Sequence, residues 1–198
     1  MRRGELAATL ADVARQHVVL TSLGSAGRAW REHGGDNPTF YGSDPMGAAP
    51  GFALGAAVAA PDRAFLLLEG DGDLSMNLGV LLAIADARPA NLHVVVFANG
   101  RYETGGGQEL AGHGHTDLAA IIGGAGWPTV QQCSEESGDD LRELLRAFLA
   151  QPGPAALVAR VDQEDSPYGG PGEHSGAEAR LIFRQQLEQW DRAGRTQP

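Results

Sequence analysis

The chain has 198 residues, one cysteine and a formal net charge of −10. That length suits one domain with a full core, the acidic balance gives no nucleic-acid footprint, and a lone thiol cannot bridge internally. No lysine occurs, so all 15 cationic side chains are arginine, which removes a P-loop lysine, a Schiff-base amine and an amine nucleophile.

The first residues, Met1-Arg2-Arg3-Gly4, are basic, but Glu5 and Asp12 break up the next stretch and no signal-type apolar core appears. No apolar run reaches the roughly 18 residues a membrane span needs, so the expectation is a cytoplasmic protein with no membrane partner. Leu6, Leu10, Val13 and Ala14 share one face and predict a helix ending near residue 16. Residues 18–20 form a short buried strand that runs into Thr21-Ser22-Leu23-Gly24-Ser25-Ala26-Gly27-Arg28. Such a small, hydroxyl-rich turn can offer backbone N–H groups to an anion, or can be a plain strand-to-helix loop. A helix is expected at 28–32 and a polar loop at 33–38. Phe40 and Tyr41 then lead into Gly42-Ser43-Asp44-Pro45-Met46-Gly47. Residues 50–60 are small and apolar throughout, a helix able to pack very closely.

Phe65-Leu66-Leu67-Leu68 is a continuous apolar run, the mark of a strand buried on both faces. It ends in Glu69-Gly70-Asp71-Gly72-Asp73. Residues 74–88 read as one helix that carries the chain back for a parallel crossover. A second run, Val94-Val95-Val96-Phe97, ends in Ala98-Asn99-Gly100, and residues 102–107 form a glycine-rich closing loop. Residues 117–125 read as a helix, 129–133 as a strand, 138–150 as an amphipathic helix with Leu141, Leu144, Leu145 and Phe148 inside, and 155–161 as the last strand. Cys133, at a strand end, reads as a structural thiol. Residues 162–176 are acidic and rich in glycine and proline, a loop or partner-contacting arm, and 179–190 form a closing helix. Alternating strands and helices predict one α/β domain over 1–198: a three-layer α/β/α fold whose mostly parallel sheet is covered by helices on both faces.

Asp71 and Asn99 fall just past the C-terminal ends of two buried strands, the edge at which open α/β sheets bind ligands. Two oxygen ligands beside glycine-rich turns suit a hard cation such as Mg2+ shared with a phosphate; the same residues can simply cap ordinary turns. His113 and His115 flank Gly114 after the closing loop. They suit proton transfer or binding of a substrate carboxylate, or are two exposed loop histidines; without nearby cysteine or a third acid they make a poor zinc site.

Gly70-Asp71-Gly72, with Asn99 placed 28 residues beyond Asp71, resembles the thiamine diphosphate motif. Together with Tyr41-Gly42-Ser43-Asp44-Pro45-Met46-Gly47 and Asn99-Gly100-Arg101-Tyr102-Glu103-Thr104-Gly105-Gly106-Gly107-Gln108, roughly residues 18–161 resemble the C-terminal, diphosphate-binding half of phosphonopyruvate decarboxylase and the matching subunit of sulfopyruvate decarboxylase. The resemblance implies thiamine diphosphate and Mg2+ as cofactors, with Asp71, Asn99 and the backbone carbonyl of Arg101 on the metal. It implies Gly70, Gly72, Asp73, Glu103 and Thr104 at the diphosphate, bordered by Ser22 and Ser25. Met46 matches the bulky wedge under the bent cofactor, and the Asp44 carbonyl would accept from the aminopyrimidine. Related decarboxylases read Gly-Ser-Met-Gly there, whereas Asp44-Pro45 is inserted here.

The resemblance further implies half an enzyme. The glutamate that activates the cofactor belongs to a separate pyrimidine-binding domain, which this length leaves no room for. The expectation is a separately encoded pyrimidine-binding subunit in a heterotetramer or larger assembly acting on a small 2-oxoacid. An acetolactate-synthase-like carboligase subunit and a cofactor-binding but inactive regulatory subunit are the alternatives.

Overall fold

The two apolar runs become the middle of one sheet. The computed structural model describes residues 1–42, 45–135, 140–163 and 176–194. The first half of the chain gives α1 (Arg3–Val13), β1 (His17–Thr21), α2 (Ser25–His33), β2 (Thr39–Tyr41), α3 (Ala49–Ala59) and β3 (Ala64–Gly70). Then come α4 (Asp71–Ser75), α5 (Val80–Ala87), β4 (Leu92–Ala98), and a two-stranded hairpin of β5 (Arg101–Tyr102) and β6 (Gln108–Glu109). The chain closes with α6 (Leu118–Gly124), β7 (Thr129–Cys133), α7 (Leu141–Leu149), β8 (Ala155–Arg160) and α8 (Gly176–Arg192).

The main sheet has six strands in the order β2-β1-β3-β4-β8-β7, and every neighbouring pair is parallel. The two central strands hold consecutive apolar residues, Phe65 to Leu68 in β3 and Val94 to Phe97 in β4, because alternate residues face opposite helical layers. Leu66, Leu68, Val95 and Phe97 pack with Leu6, Leu10, Trp30, Leu145 and Phe148 under α1, α2 and α7. Phe65, Leu67, Val94 and Val96 pack with Ala53, Ala57, Leu81, Ile84 and Ile122 under α3, α5 and α6, joined by Phe183 and Leu187 of α8. This is the three-layer α/β/α arrangement. The register Leu67↔Val94 and Gly70↔Phe97 is held by both faces at once, since a slip of one residue would exchange them.

Three elements differ from the sequence reading. Phe40 and Tyr41 belong to a strand, β2, which pairs with β1 at the sheet edge. Three residues are too few for a periodicity, and the edge position lies in the partner strand rather than in this segment. The single helix expected over 74–88 is two helices, α4 and α5, with a turn between them. There the backbone bonds shorten to i→i−3, as in Asn77 N–H to Leu74 C=O and Val80 N–H to Asn77 C=O. Asn77 and Gly79 are weak helix formers, and the Asn77 carboxamide donates instead to the Gly47 carbonyl at 3.0 Å. The closing loop at 102–107 is a hairpin capped by a 3-10 turn, Glu103–Gly105. The expected helix at 138–150 is described only from Leu141, and of the acidic arm at 162–176 residues 164–175 lie outside the described residues. No helix among the described residues is long and apolar enough to cross a membrane.

Candidate functional site

The chain leaves β1 in one direction to form β2, then returns to place β3 on the other side of β1. The loops after β1 and β3 therefore diverge, and a crevice opens beyond the C-terminal strand ends. A cleft of about 440 Å³ lies there, floored by the ends of β3 and β4 and roofed by the hairpin.

Most of the sequence-picked residues line it. Gly70, Asp71, Gly72 and Asp73 come from the end of β3 and from α4; Asn99 and Arg101 follow β4. Glu103 and Thr104 come from the hairpin turn, Ser25 from the start of α2 and Met46 from the loop before α3. Ser22 lies behind this wall, 1% exposed, with its hydroxyl donating to the Leu23 carbonyl and accepting from Gly70 N–H, both at 3.3 Å. Asp44 lies outside the described residues. His113 and His115 are exposed and do not line the cleft. The His113 ring instead covers Gly100, where a Cβ would meet it at 2.6 Å.

The cleft floor is an oxygen-rich turn pair. Asp71 is 4% exposed, and its two oxygens accept from Gly72 N–H at 2.8 Å and Gly100 N–H at 2.7 Å. The Gly72 N–H is thus spent on the adjacent carboxylate. Burial raises the Asp71 carboxyl above the ordinary aspartate range, against the opposing pull of the Gly100 and Gly72 amides. Such a carboxylate gains most from a cation placed against it. Asn99 is also buried; its Oδ1 accepts from Arg101 N–H at 2.9 Å and its Nδ2 donates to Glu103 Oε2 at 3.0 Å. One carboxylate and one carboxamide oxygen, each with lone pairs to spare, form an oxygen donor set that fits Mg2+.

The walls fit a diphosphate by leaving room for it. Gly24 precedes α2 at φ +95, and a Cβ there would press on the Thr104 methyl at 3.1 Å. A Cβ on Gly72 would meet the Tyr102 ring at 3.1 Å and the Arg101 carbonyl at 3.3 Å. Gly72 needs glycine because the Arg101-Tyr102 backbone approaches it closely, and Gly24 because of its positive φ. The N-terminus of α2, with Ser25 as its first residue, brings the positive end of a helix dipole to the same wall.

Behind the floor, Asp73 Oδ1 accepts from Gly47 N–H at 2.9 Å while Asn77 donates to Gly47 C=O. The loop that carries Met46 is thereby held to α4 and the turn after it through both polar groups of one residue. Met46 stays half exposed at the cleft mouth beside Met76.

Sequence reasoning missed Glu69, Tyr102 and Gln108. Glu69 is completely buried at the end of β3, and its Oε1 accepts from the next amide along the chain, Gly70 N–H, at 2.9 Å. Burial, and then the Asp73 carboxylate beside it, push the Glu69 carboxyl well above the usual range. An acid closing an otherwise apolar strand was its only signal. Tyr102 and Gln108 line the roof, the Tyr102 hydroxyl lying 3.3 Å from Ser75 Oγ; their pairing across the hairpin has no trace in a glycine-rich sequence.

A family model described as thiamine pyrophosphate enzyme, C-terminal TPP binding domain, matches residues 25–159. The chain is 32% identical over 148 residues to phosphonopyruvate decarboxylase of Streptomyces viridochromogenes, covering 75% of this chain and 36% of that one. It is 28% identical over 150 residues to sulfopyruvate decarboxylase subunit beta of Methanocaldococcus jannaschii, covering 76% of this chain and 78% of that one. It therefore spans about a third of the length of the first relative and most of the second. Its fold is similar to that of the thiamine diphosphate-dependent 4-hydroxybenzoylformate decarboxylase of Rhodococcus jostii, with a TM-score of 0.68 at 20% identity over 84% of this chain and 33% of that one.

Proposed function

The chain belongs to the thiamine pyrophosphate enzyme family, as a C-terminal TPP binding domain, and on that premise we propose that it is the diphosphate- and Mg2+-binding subunit of a two-subunit thiamine diphosphate-dependent 2-oxoacid decarboxylase. The observation that carries this reading is the convergence of buried Asp71 and Asn99 on the floor of one glycine-walled cleft. When bound, the cofactor supplies the electron sink that lets a 2-oxoacid lose its carboxylate as CO2.

The chain's own residues bind and orient. Asp71, Asn99 and the carbonyl of Arg101 would hold the cation, and Thr104 and Ser25 would face the diphosphate across the cleft. Met46, at the cleft mouth and fastened through Gly47 to Asp73 and Asn77, would support the bend of the cofactor from below. His113, against the Asn99-Gly100 turn, and His115 do not line the cleft, so neither is given the proton-transfer or carboxylate-binding role.

A partner is supported by two things. A relative matched over most of its length is named as a subunit beta. The exposed side chains of Met46 and Met76 at the cleft continue into exposed Phe52, Val58 and Leu82 on α3 and α5, helices that pack on one another. A separately encoded pyrimidine-binding subunit would cover this apolar face and complete the site from the open side.

The test is calorimetric titration of the chain with thiamine diphosphate, with and without Mg2+, on wild type and Asp71→Ala. Metal-dependent binding that falls at least about tenfold in the variant supports the reading. Absence of binding by the wild type, both alone and beside a pyrimidine-binding chain, would overturn it.

A further inference from the structure

Arg3 opens α1, far in sequence from the cleft and outside the stretch that the family model matches. A cation at a helix N-terminus opposes the helix dipole, and Arg3 is only 6% exposed. Its placement needs a compensating partner, and Glu103 supplies one. Arg3 Nη1 donates to Glu103 Oε1 at 2.8 Å and to Oε2 at 2.7 Å, and the Glu103 side chain is itself 13% exposed.

The same Oε2 accepts from Asn99 Nδ2 at 3.0 Å. A carboxylate can only accept, so it selects the NH2 side of the Asn99 carboxamide. Arg101 N–H can only donate, and at 2.9 Å it selects the oxygen side. The carboxamide is thus turned by two contacts of opposite polarity. Its backbone is held as well, with Gln163 Nε2 donating to the Asn99 carbonyl at 3.1 Å.

We propose that Arg3 and Glu103 are positioning residues of the cofactor site, an ion pair that fixes which face of the Asn99 carboxamide meets the cation and neutralises a carboxylate that would otherwise oppose the diphosphate. The inference rests on the reading of Asn99 as a metal ligand. Its physical content is a division of labour. Glu103 turns Asn99, and Arg3 makes a carboxylate tolerable in a cleft built for an anion. Without Arg3, Glu103 would carry an unbalanced negative charge beside the diphosphate and would be free to swing toward the metal itself.

The test uses the full chain in five further forms: Arg3→Met, Arg3→Lys, Glu103→Gln, Arg3→Met with Glu103→Gln, and Asn99→Asp for assignment. The first readout needs no cofactor. The side-chain amide resonances of Asn99, assigned by their loss in Asn99→Asp, should shift in both Arg3→Met and Glu103→Gln, and unchanged resonances in Glu103→Gln would overturn the proposal. The second readout is thiamine diphosphate affinity at saturating Mg2+. Arg3→Met should weaken it by about tenfold or more, while Glu103→Gln, which keeps an acceptor for Asn99, should weaken it by at least about threefold less than Arg3→Met does. The double variant should recover to within about threefold of Glu103→Gln, because removing the carboxylate removes the repulsion. A double variant as weak as Arg3→Met would mean that Arg3 only docks α1, and would overturn the proposal. Should Arg3→Met not fold, Arg3→Lys decides: retention of charge predicts affinity within about threefold of wild type, and a loss of about tenfold overturns it. If wild type fails to bind in every arm, the cofactor reading falls and the amide resonances still decide whether Glu103 orients Asn99.

Discussion

His17 and His93 stand at the start of β1 and near the start of β4, on the edge of the sheet away from the cleft. Their rings meet edge to face at 5.5 Å, and Phe148 packs on His93 in the same way. His93 Nε2 pairs with the Gln151 carbonyl at 2.8 Å. Burial, and then the neighbouring His93, bring His17 down from 6.5 to about 4, and burial lowers His93 too. Both are therefore neutral in the fold, while the unfolded chain takes up their protons near the ordinary value. The contribution of His17 is complete above the ordinary histidine range and is lost as pH falls from about 6.5 toward about 4, amounting to roughly 3 kcal/mol, and that of His93 is lost in the same direction. Urea unfolding between roughly pH 7.5 and pH 4.5 should show this loss, and His17→Leu should make it smaller. An equally steep loss in that variant would place the acid sensitivity elsewhere. These histidines could be named from the sequence, but nothing in it says that two strand starts bring them together.

At the scale of elements, the site depends on how short pieces are fastened to the sheet. The loop before α3 is held by Gly47, which sits at φ +80 with Asp73 on its N–H and Asn77 on its C=O. A Cβ at Gly47 would meet Asn77 Cβ at 2.8 Å. Gly47→Ala should therefore lower stability by about 1–2 kcal/mol, since left-handed backbone strain and the clash add. It should also weaken thiamine diphosphate binding more than a destabilisation of that size explains, because Met46 would lose its fixed place. Chemical denaturation and calorimetry on the same preparation check both parts; unchanged affinity would mean that the loop does not need this anchor. The break between α4 and α5 belongs to the same device, for the Asn77 that leaves the helical pattern is the one that holds Gly47. Periodicity over 74–88 conceals this, because Leu74, Leu81 and Ile84 keep one buried stripe across the break.

For the whole molecule, the apolar side chains left exposed on α3 and α5 set the expectation for assembly. Leu82 is 63% exposed, so Leu82→Glu should leave the stability of the isolated chain within about 0.5 kcal/mol of wild type. It should nonetheless reduce recovery of a complex with the pyrimidine-binding subunit by about tenfold or more, read by sedimentation of the co-expressed pair. Equal complex formation by the variant would show that α5 faces solvent in the assembly. The sequence by itself determined the layer architecture, the two central strands and the pair Asp71 and Asn99. These follow from local rules: continuous apolar runs mean strands buried on both faces, and short polar residues and glycine after such runs mark the binding edge. Only the tertiary structure decided which residues share the cleft from distant parts of the chain. Arg3 reaches Glu103 across a hundred residues, Glu69 is sealed under Asp73, and His113 shields Gly100 rather than facing the cleft. Those placements depend on strand order and on the turns between elements, and a side chain's partners across the sheet edge leave no period or spacing in the sequence to be read.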